Sequence, residues 1–218
     1  MIYKNTLFLL LSLINNQFIH CFDLCLLGAS SDLGKEIIFQ GLNNKNNKNI
    51  KILALTNNPN NIIIPYRGGG LNNKNKKSLL RSPNLEISNY NNFINYNFSN
   101  IVLTSGAKPF QNDYSDILTK NILNCESLTL ENIILISAYG VGNSLNNANP
   151  GIKIMNNLYL QDVYRAKNAQ EELLNNYKKN NKETNIKIFR PKGLSYGINI
   201  YGLKSRESLA NEILEILF

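Results

Sequence analysis

The chain sets short, unbroken apolar runs against longer stretches of helical spacing. Residues 22–27, 50–55, 101–104, 133–137 and 186–189 are runs of mainly Leu, Ile, Val and Phe with few polar interruptions. Runs this short are strands, and their lack of polar alternation sets both faces against other elements. Helical spacing fills most of the intervals, at 33–42, 114–127, 158–178 and 205–217. Strands separated by helices pair in parallel, because each crossover returns the chain to the same end of the sheet. The expectation is an α/β fold, a doubly wound, mostly parallel sheet with helices on both faces. In the third helix the apolar positions Leu160, Val163, Leu173 and Leu174 are thin, so its sheet-facing side draws also on Ala166, Ala169 and the tyrosine rings.

Two stretches fall outside this rhythm. Residues 57–84 include "PYRGGGLNNKNKKSLLRSP", with glycines, lysines and prolines in no period, and read as an insertion loop after the second strand. Residues 1–21 carry an early lysine, an apolar run over 7–14 and a polar tail, the architecture of a signal peptide. The run is shorter than the ~20 apolar residues of a membrane span. The expected division is a leader at 1–21 and one domain at 22–218. The leader predicts entry into the secretory pathway, with onward import into an organelle such as a plastid as a second route.

Composition narrows the partners. The 218 residues, 43% hydrophobic and 17% charged, are those of a globular chain able to bury one sizeable core. The net charge of +8 points towards nucleic acid, but the lysines cluster in Asn-rich runs such as "NNKNNKNIK" and "LNNKNKKSLLR". These read as solvated loops, and no basic helix or aromatic-laced basic stripe accompanies them, so a nucleic-acid partner is disfavoured. Cys21, Cys25 and Cys125 are odd in number and unpaired in spacing, which implies neither a disulfide framework nor a zinc site. No His/Cys cluster or carboxylate pair stands at metal or hydrolase spacing, and the serine of "SAYGVG" precedes the tight turn too early to be a nucleophile elbow.

Candidate chemistry begins at "LCLLGASSDLGKEI", where a strand runs through Gly28 and Gly34 into a helix. A glycine at a strand end permits a tight turn, and a later one lets the helix pack close to the strand. Between them, backbone N–H groups face a helix N-terminus that carries about half a positive charge and attracts a pyrophosphate. Ser31 stands where a third glycine is expected; it is small and, with Ser30, supplies hydroxyl donors. Asp32 repels a phosphate if it points inward and favours the helix start if it faces solvent.

Six further segments extend the pattern. "LALTNNP", "IVLTSGA", "IILISAYGVG", "YRAKNAQEELL", "NIKIFRPKGL" and "KSRESLANEIL" follow in order, and together with the glycine turn they resemble successive blocks of the atypical short-chain dehydrogenase/reductases. The subgroup resembled is the NAD(P)-binding, NmrA-like and flavin reductase-like proteins, over nearly all of the chain from Phe22 except the loop at 60–84. The resemblance implies a Rossmann-type domain with Gly28, Ala29, Ser30, Ser31, Asp32, Leu33 and Gly34 under the cofactor's pyrophosphate. It implies that Ser105, Gly106 and Ala107 line the adenine ribose and nicotinamide side, and that Ser137 offers a substrate-binding hydroxyl. Lys167 matches the helix lysine that contacts the nicotinamide ribose. Pro191, Gly193 and Leu194 match the turn over the nicotinamide, where "FRPKGL" resembles the family's "RPGGL" with Lys192 in place of a glycine. After the second strand, an acidic residue would favour NAD; Thr56 and Asn57 carry no charge, related sequences commonly have an arginine near Asn57, and the basic surroundings point to NADP with NAD as the alternative.

Members of the wider superfamily transfer hydride with a tyrosine acid and a lysine four residues later, which stacks both on one helix face. Here "VYRAKN" sets Tyr164 and Lys167 three apart. Either Lys167 holds the lysine slot and Val163 the tyrosine slot, or Tyr164 holds its slot and Asn168 replaces the lysine; Glu171, four residues after Lys167, supports the first. The standard tyrosine acid is then absent, and Tyr164 either approaches a substrate from another angle or packs at the helix–sheet boundary. Residues 142–157 lie where a substrate lid is expected, with Ile152, Ile154 and Met155 as its apolar contacts. Catalytic candidates are Ser137, Lys167 and Tyr164. The expected function is an NADP-dependent reductase passing hydride to a flavin-, quinone- or carbonyl-type acceptor. The alternative is a non-catalytic dinucleotide-binding redox sensor or assembly factor acting on a protein partner.

Overall fold

Six parallel strands carry the chain through its core: β1 (Leu24–Leu27), β2 (Ile52–Thr56), β3 (Leu85–Asn89), β4 (Asn100–Leu103), β5 (Asn132–Ile136) and β6 (Asn185–Phe189). The structure is a computed structural model describing residues 20–43, 50–57, 59, 64–65, 77–78, 82–106, 113–148, 150–151, 154, 158–195 and 203–218. The strand order is β3-β2-β1-β4-β5-β6, so the winding reverses between β1 and β4. Among the described residues, four helices cover the sheet: α1 (Asp32–Asn43), α2 (Ser115–Leu123), α3 (Gln161–Asn180) and α4 (Arg206–Leu217). This is the doubly wound Rossmann-type α/β fold expected from the pattern of runs.

The two faces share out each of the four inner strands residue by residue, whereas the outer strand β6, expected to be covered on both faces, has none of its five residues buried because it has a neighbour on one side only. Leu24 and Leu26 of β1, Ile52 and Ala54 of β2, Val102 of β4 and Ile134 of β5 meet Ile37 and Ile38 of α1 and Leu209 and Ile213 of α4. Their neighbours Cys25, Leu27, Leu53, Leu55, Ile101, Leu103, Ile133 and Leu135 turn to the opposite side, towards Ile122 of α2 and Leu174 of α3. An unbroken apolar run is what a strand buried on both faces requires, and each such leucine or isoleucine contributes about 1.5–3 kcal/mol on burial. α1 packs on α4 and α2 on α3, one pair to each face.

The differences from the expected elements have local causes. The run at 22–27 is divided at Asp23, whose carboxylate accepts from the Lys51 amide at 2.8 Å and whose carbonyl accepts from Asn100 Nδ2 at 2.8 Å. Ahead of it His20–Phe22 forms a separate two-stranded parallel pair with Tyr96–Phe98. Two residues of the expected leader, His20 and Cys21, thus take part in pairing, and residues 1–19 lie outside the described residues. Strand β3 was not expected: its "LEISN" mixes apolar and polar positions as an outer strand does, and only Ser88 of its five residues is buried. Helix α2 stops at Leu123, short of the expected 127, and α3 runs over Gln161–Asn180. Within the expected insertion loop, Ile64–Pro65 pairs antiparallel with Lys77–Ser78, and most of the rest lies outside the described residues. No disulfide joins the three cysteines, and Cys25 is fully buried in β1. No helix among the described residues is long and apolar enough to cross a membrane.

Candidate functional site

The carboxyl ends of β1 and β4 meet where the winding reverses, the place at which open α/β sheets leave a crevice. Gly28 leaves β1 with φ +91°, and a Cβ added there would stand 2.4 Å from the Ser105 amide nitrogen. Gly34 lies in the first turn of α1, where a Cβ would stand 2.6 Å from the Gly28 carbonyl oxygen. Both glycines are needed for backbones to touch, one across strands and one between helix and turn. Ala29, Leu33 and Gly34 are buried, and Ser30 is exposed at the tip of the turn.

Ser31 caps α1, its Oγ accepting from the Gly34 amide at 2.9 Å and donating to Thr104 Oγ1 at 3.2 Å. Thr104 Oγ1 in turn donates to the carbonyls of Leu27 and Gly28 at 3.0 Å each. The side chain at the missing-glycine position therefore folds down onto the helix start and β4. Asp32 opens α1 half-exposed, 3.9 Å from both Lys35 Nζ and Arg206 Nη2. Its charge is offset by two cations at the helix end where an acidic residue is favourable.

Beside this turn, after β4, lies a buried polar cluster. Lys167 of α3 is 6% exposed, and its Nζ donates to the Ser105 carbonyl and, at 3.0 Å, to Gln170 Oε1. Burial pushes its pKa down from 10.5 to about 8, against the upward pull of Asp113 and Glu171. A Cβ on Gly106 would stand 3.8 Å from both Lys167 Nζ and Asp113 Oδ2, so the two charges converge on that glycine. Asp113 is itself buried and accepts from the Ser115 amide at 2.9 Å, opening α2. Gln170 completes the cluster, donating to the Ser115 carbonyl and to Thr119 Oγ1. The Ser105 hydroxyl is buried with no hydrogen-bond partner among the described residues. Ala107 lies outside the described residues.

The ends of β5 and β6 close the site. Ser137 follows β5; its amide donates to the Phe189 carbonyl at 2.8 Å, while its hydroxyl is buried and without a partner among the described residues. Two residues on, Tyr139 joins three segments: its amide donates to the Pro191 carbonyl at 3.1 Å, its hydroxyl to the Asn147 carbonyl at 2.6 Å, and its carbonyl accepts from Tyr164 Oη at 2.9 Å. Tyr164 is half-buried with its hydroxyl on that carbonyl, and burial raises its pKa. Lys192 lies with its Nζ 5.3 Å from the centroid of the Tyr139 ring. Gly193 is half-buried against Leu203, and Leu194–Ser195 pairs with Lys204–Ser205. Below this, Glu171 takes a bidentate pair from Arg190, at 2.9 and 2.7 Å, against Gly142 (φ +53°), where a Cβ would stand 2.2 Å from Glu171 Oε2. Of the expected lid contacts, Ile154 is exposed, and Ile152 and Met155 lie outside the described residues. At the end of β2, Thr56 is buried and Asn57 exposed.

The structure gathers the described residues among the cofactor and catalytic candidates along one edge of the sheet, the carboxyl ends of β1, β2, β4, β5 and β6, with α3 supplying Tyr164 and Lys167. Sequence reasoning overlooked Asp113, Gln170 and the Glu171–Arg190 pair. Each is an ordinary polar residue in its own segment and acquires meaning only through a partner on another element; the only local signal was "DYS", an Asx-type helix start.

Compared with protein-family models and with curated proteins, the sequence has no match. Solved structures do match. The anaerobillin reductase ChuY of Escherichia coli O157:H7 is 14% identical over 89% of each chain, with a TM-score of 0.57. WbmH of Bordetella bronchiseptica, solved in complex with NAD+, is 11% identical over 90% of this chain and 71% of its own, at 0.56. SP1627 of Streptococcus pneumoniae, a candidate NADH-flavin reductase, is 10% identical over 90% and 92%, at 0.52. At these identities the likeness is one of fold.

Proposed function

We propose that this chain is an NAD(P)-binding oxidoreductase, and more closely an NADP-dependent reductase that passes hydride to a flavin-, quinone- or carbonyl-type acceptor. The observation that carries the reading is the glycine turn at the crevice between β1 and β4, which has no room for a Cβ at Gly28 or Gly34, with Ser105 against it and the Ser105 hydroxyl buried and without a partner among the described residues. A polar group left unpaired in a core is costly, and a ligand that bonds to it offsets the cost. Structural likeness to a reductase and to an enzyme solved with NAD+ supports a nicotinamide dinucleotide in that crevice.

The residues present fit such a group. Gly28, Ala29, Ser30, Leu33 and Gly34 would hold the pyrophosphate against the start of α1, with Ser31 and Asp32 securing the helix. Thr56 and Asn57 set no negative charge against a ribose phosphate, which favours NADP. Ser105, Gly106 and Lys167 would hold the nicotinamide ribose, under the turn Pro191–Leu194. A dinucleotide bound there supplies the hydride. Ser137 offers its hydroxyl to the acceptor. Tyr164 is committed to the Tyr139 carbonyl, so acceptors that need little acid catalysis suit the site best.

The test is oxidation of NADPH with flavin and quinone acceptors. Ser30→Glu places a carboxylate in the cradle at an exposed position; it is expected to weaken NADPH binding at least ten-fold while thermal stability without ligand stays within about 0.5 kcal/mol. Unchanged binding in that variant would overturn the cradle assignment. The commitment of Tyr164 accommodates a second reading equally, a dinucleotide-binding sensor or assembly factor, which predicts tight NADPH binding with no oxidation by any acceptor. The leader at 1–21 is proposed to deliver the protein to the secretory pathway, and an intact Met1 on the mature protein would count against it.

A further inference from the structure

Among the chain's many asparagines, Asn97 alone heads an Asn-X-Ser/Thr sequence, "NFS" at 97–99. In such a sequence the hydroxyl two residues on makes the asparagine amide an acceptor of sugar, provided that the chain enters a secretory compartment and X is not proline. The motif is short, so the fold decides whether the amide is placed to carry a glycan. Residues Tyr96–Phe98 form a strand paired in parallel with His20–Phe22, and side chains along a strand alternate. Phe98 is buried in the core that holds Cys25 and Ile101. Tyr96 turns to the same side, its ring meeting that of Phe22 edge-on and its hydroxyl donating to Glu86 Oε1 at 2.8 Å. Asn97, between them, faces the other way and is exposed.

Nearby asparagines spend their side chains on the fold. Asn89 Oδ1 accepts from the Asn91 amide, Asn92 Nδ2 donates to Ser88 Oγ, and Asn100 Nδ2 donates to the Asp23 carbonyl. The Asn97 side chain makes no such bond among the described residues. Its strand also lies away from the candidate site. Phe22 stands just ahead of β1 and Phe98 just ahead of β4, so the pair sits at the amino ends of those strands, whereas the glycine turn and Ser105 follow their carboxyl ends. A bulky, hydrated group on Asn97 therefore enters neither the core nor the crevice.

We propose that Asn97 is an N-glycosylation site. Its Nδ2 forms a bond to the anomeric carbon of an N-acetylhexosamine, the bond from that carbon to a polyprenyl pyrophosphate carrier breaks, the carrier leaves with the electron pair and the amide gives up one proton. The inference rests on the secretory leader proposed above and is independent of the reductase reading. It is tested by translating the full chain in the presence of endoplasmic-reticulum microsomes, once with its own N-terminus and once with residues 1–19 replaced by the leader of a secreted protein. A single slower-migrating band, reversed by endoglycosidase, is expected in both forms. Asn97→Gln and Ser99→Ala are each expected to abolish it and Ser99→Thr to keep it; the shift reads a covalent adduct and does not require the variant to fold. A glycan on the second form alone would overturn the leader and leave the Asn97 site standing. A second form that is protected from protease inside the microsomes yet unshifted, or a shift that survives Asn97→Gln, would overturn the site. Because the amide faces solvent, the purified glycosylated protein and its enzymatically deglycosylated form are expected to unfold at the same denaturant concentration; a lower midpoint with the glycan in place would overturn the outward placement of Asn97.

Discussion

Burial sets Lys167 two opposing requirements. Its ammonium holds the Ser105 carbonyl and faces the space proposed for a ribose, yet loss of water brings its pKa down to about 8. The folded value lies below the unfolded value of 10.5, so the unfolded chain binds the extra proton between them and stability rises as pH climbs from 8 towards 10.5. Affinity that depends on the ammonium moves the other way, falling as pH passes 8. Parallel measurements of NADPH affinity and of denaturant midpoint across pH 7–10 are expected to diverge in this manner. Asp113→Asn keeps the oxygen that caps α2 and removes the charge that pulls the lysine upward, so the midpoint of the affinity profile is expected to move below 8. Lys167 was visible in the sequence because "YRAKNAQEELL" resembles a family block. Its neighbours Asp113 and Gln170 were not, since a buried aspartate is known as buried only when the elements that cover it are in place.

Elements here are secured at their ends by single side chains. Ser31 caps α1 through the Gly34 amide, and Ser31→Ala is expected to cost about 1 kcal/mol in denaturant unfolding. The same hydroxyl ties α1 to β4 through Thr104, which a helix-propensity argument does not register. Glu171 and Arg190 join α3 to the end of β6 beside Gly142. Removing Arg190 leaves a buried carboxylate unpaired, so Arg190→Met is expected to cost about 2 kcal/mol, while the double variant with Glu171→Met costs less than the sum of the two. At this scale the strands buried on both faces were legible, because an unbroken apolar run carries its own signature. Strand β3 was not: an outer strand with one half-exposed face has the mixed composition of a loop, and its pairing with β2 supplies what its residues do not announce.

The whole molecule is a sheet whose candidate site is assembled at one edge from residues far apart in sequence. A dinucleotide bound at that edge touches the ends of several strands and stabilises them together. At a hundred-fold excess over Kd, NADPH is expected to add about 2.7 kcal/mol to stability, a rise in Tm of about 5–10 °C for a domain of this size. An equal rise with adenosine monophosphate alone would place the binding energy on the adenine half. The sequence by itself determined the alternation of buried strands and helices, the two-sided burial of the sheet and the glycine turn from β1 into α1. Those properties are local, written in hydrophobic period and in the few residues that allow a positive φ. Only the tertiary structure decided that β1 lies beside β4, that Gly28 touches Ser105, that Lys167 finds Asp113 and Ser105 and that Lys192 rests on Tyr139. These are choices of neighbour, and a neighbour is set by how the sheet is ordered and packed, which no short stretch of the chain specifies.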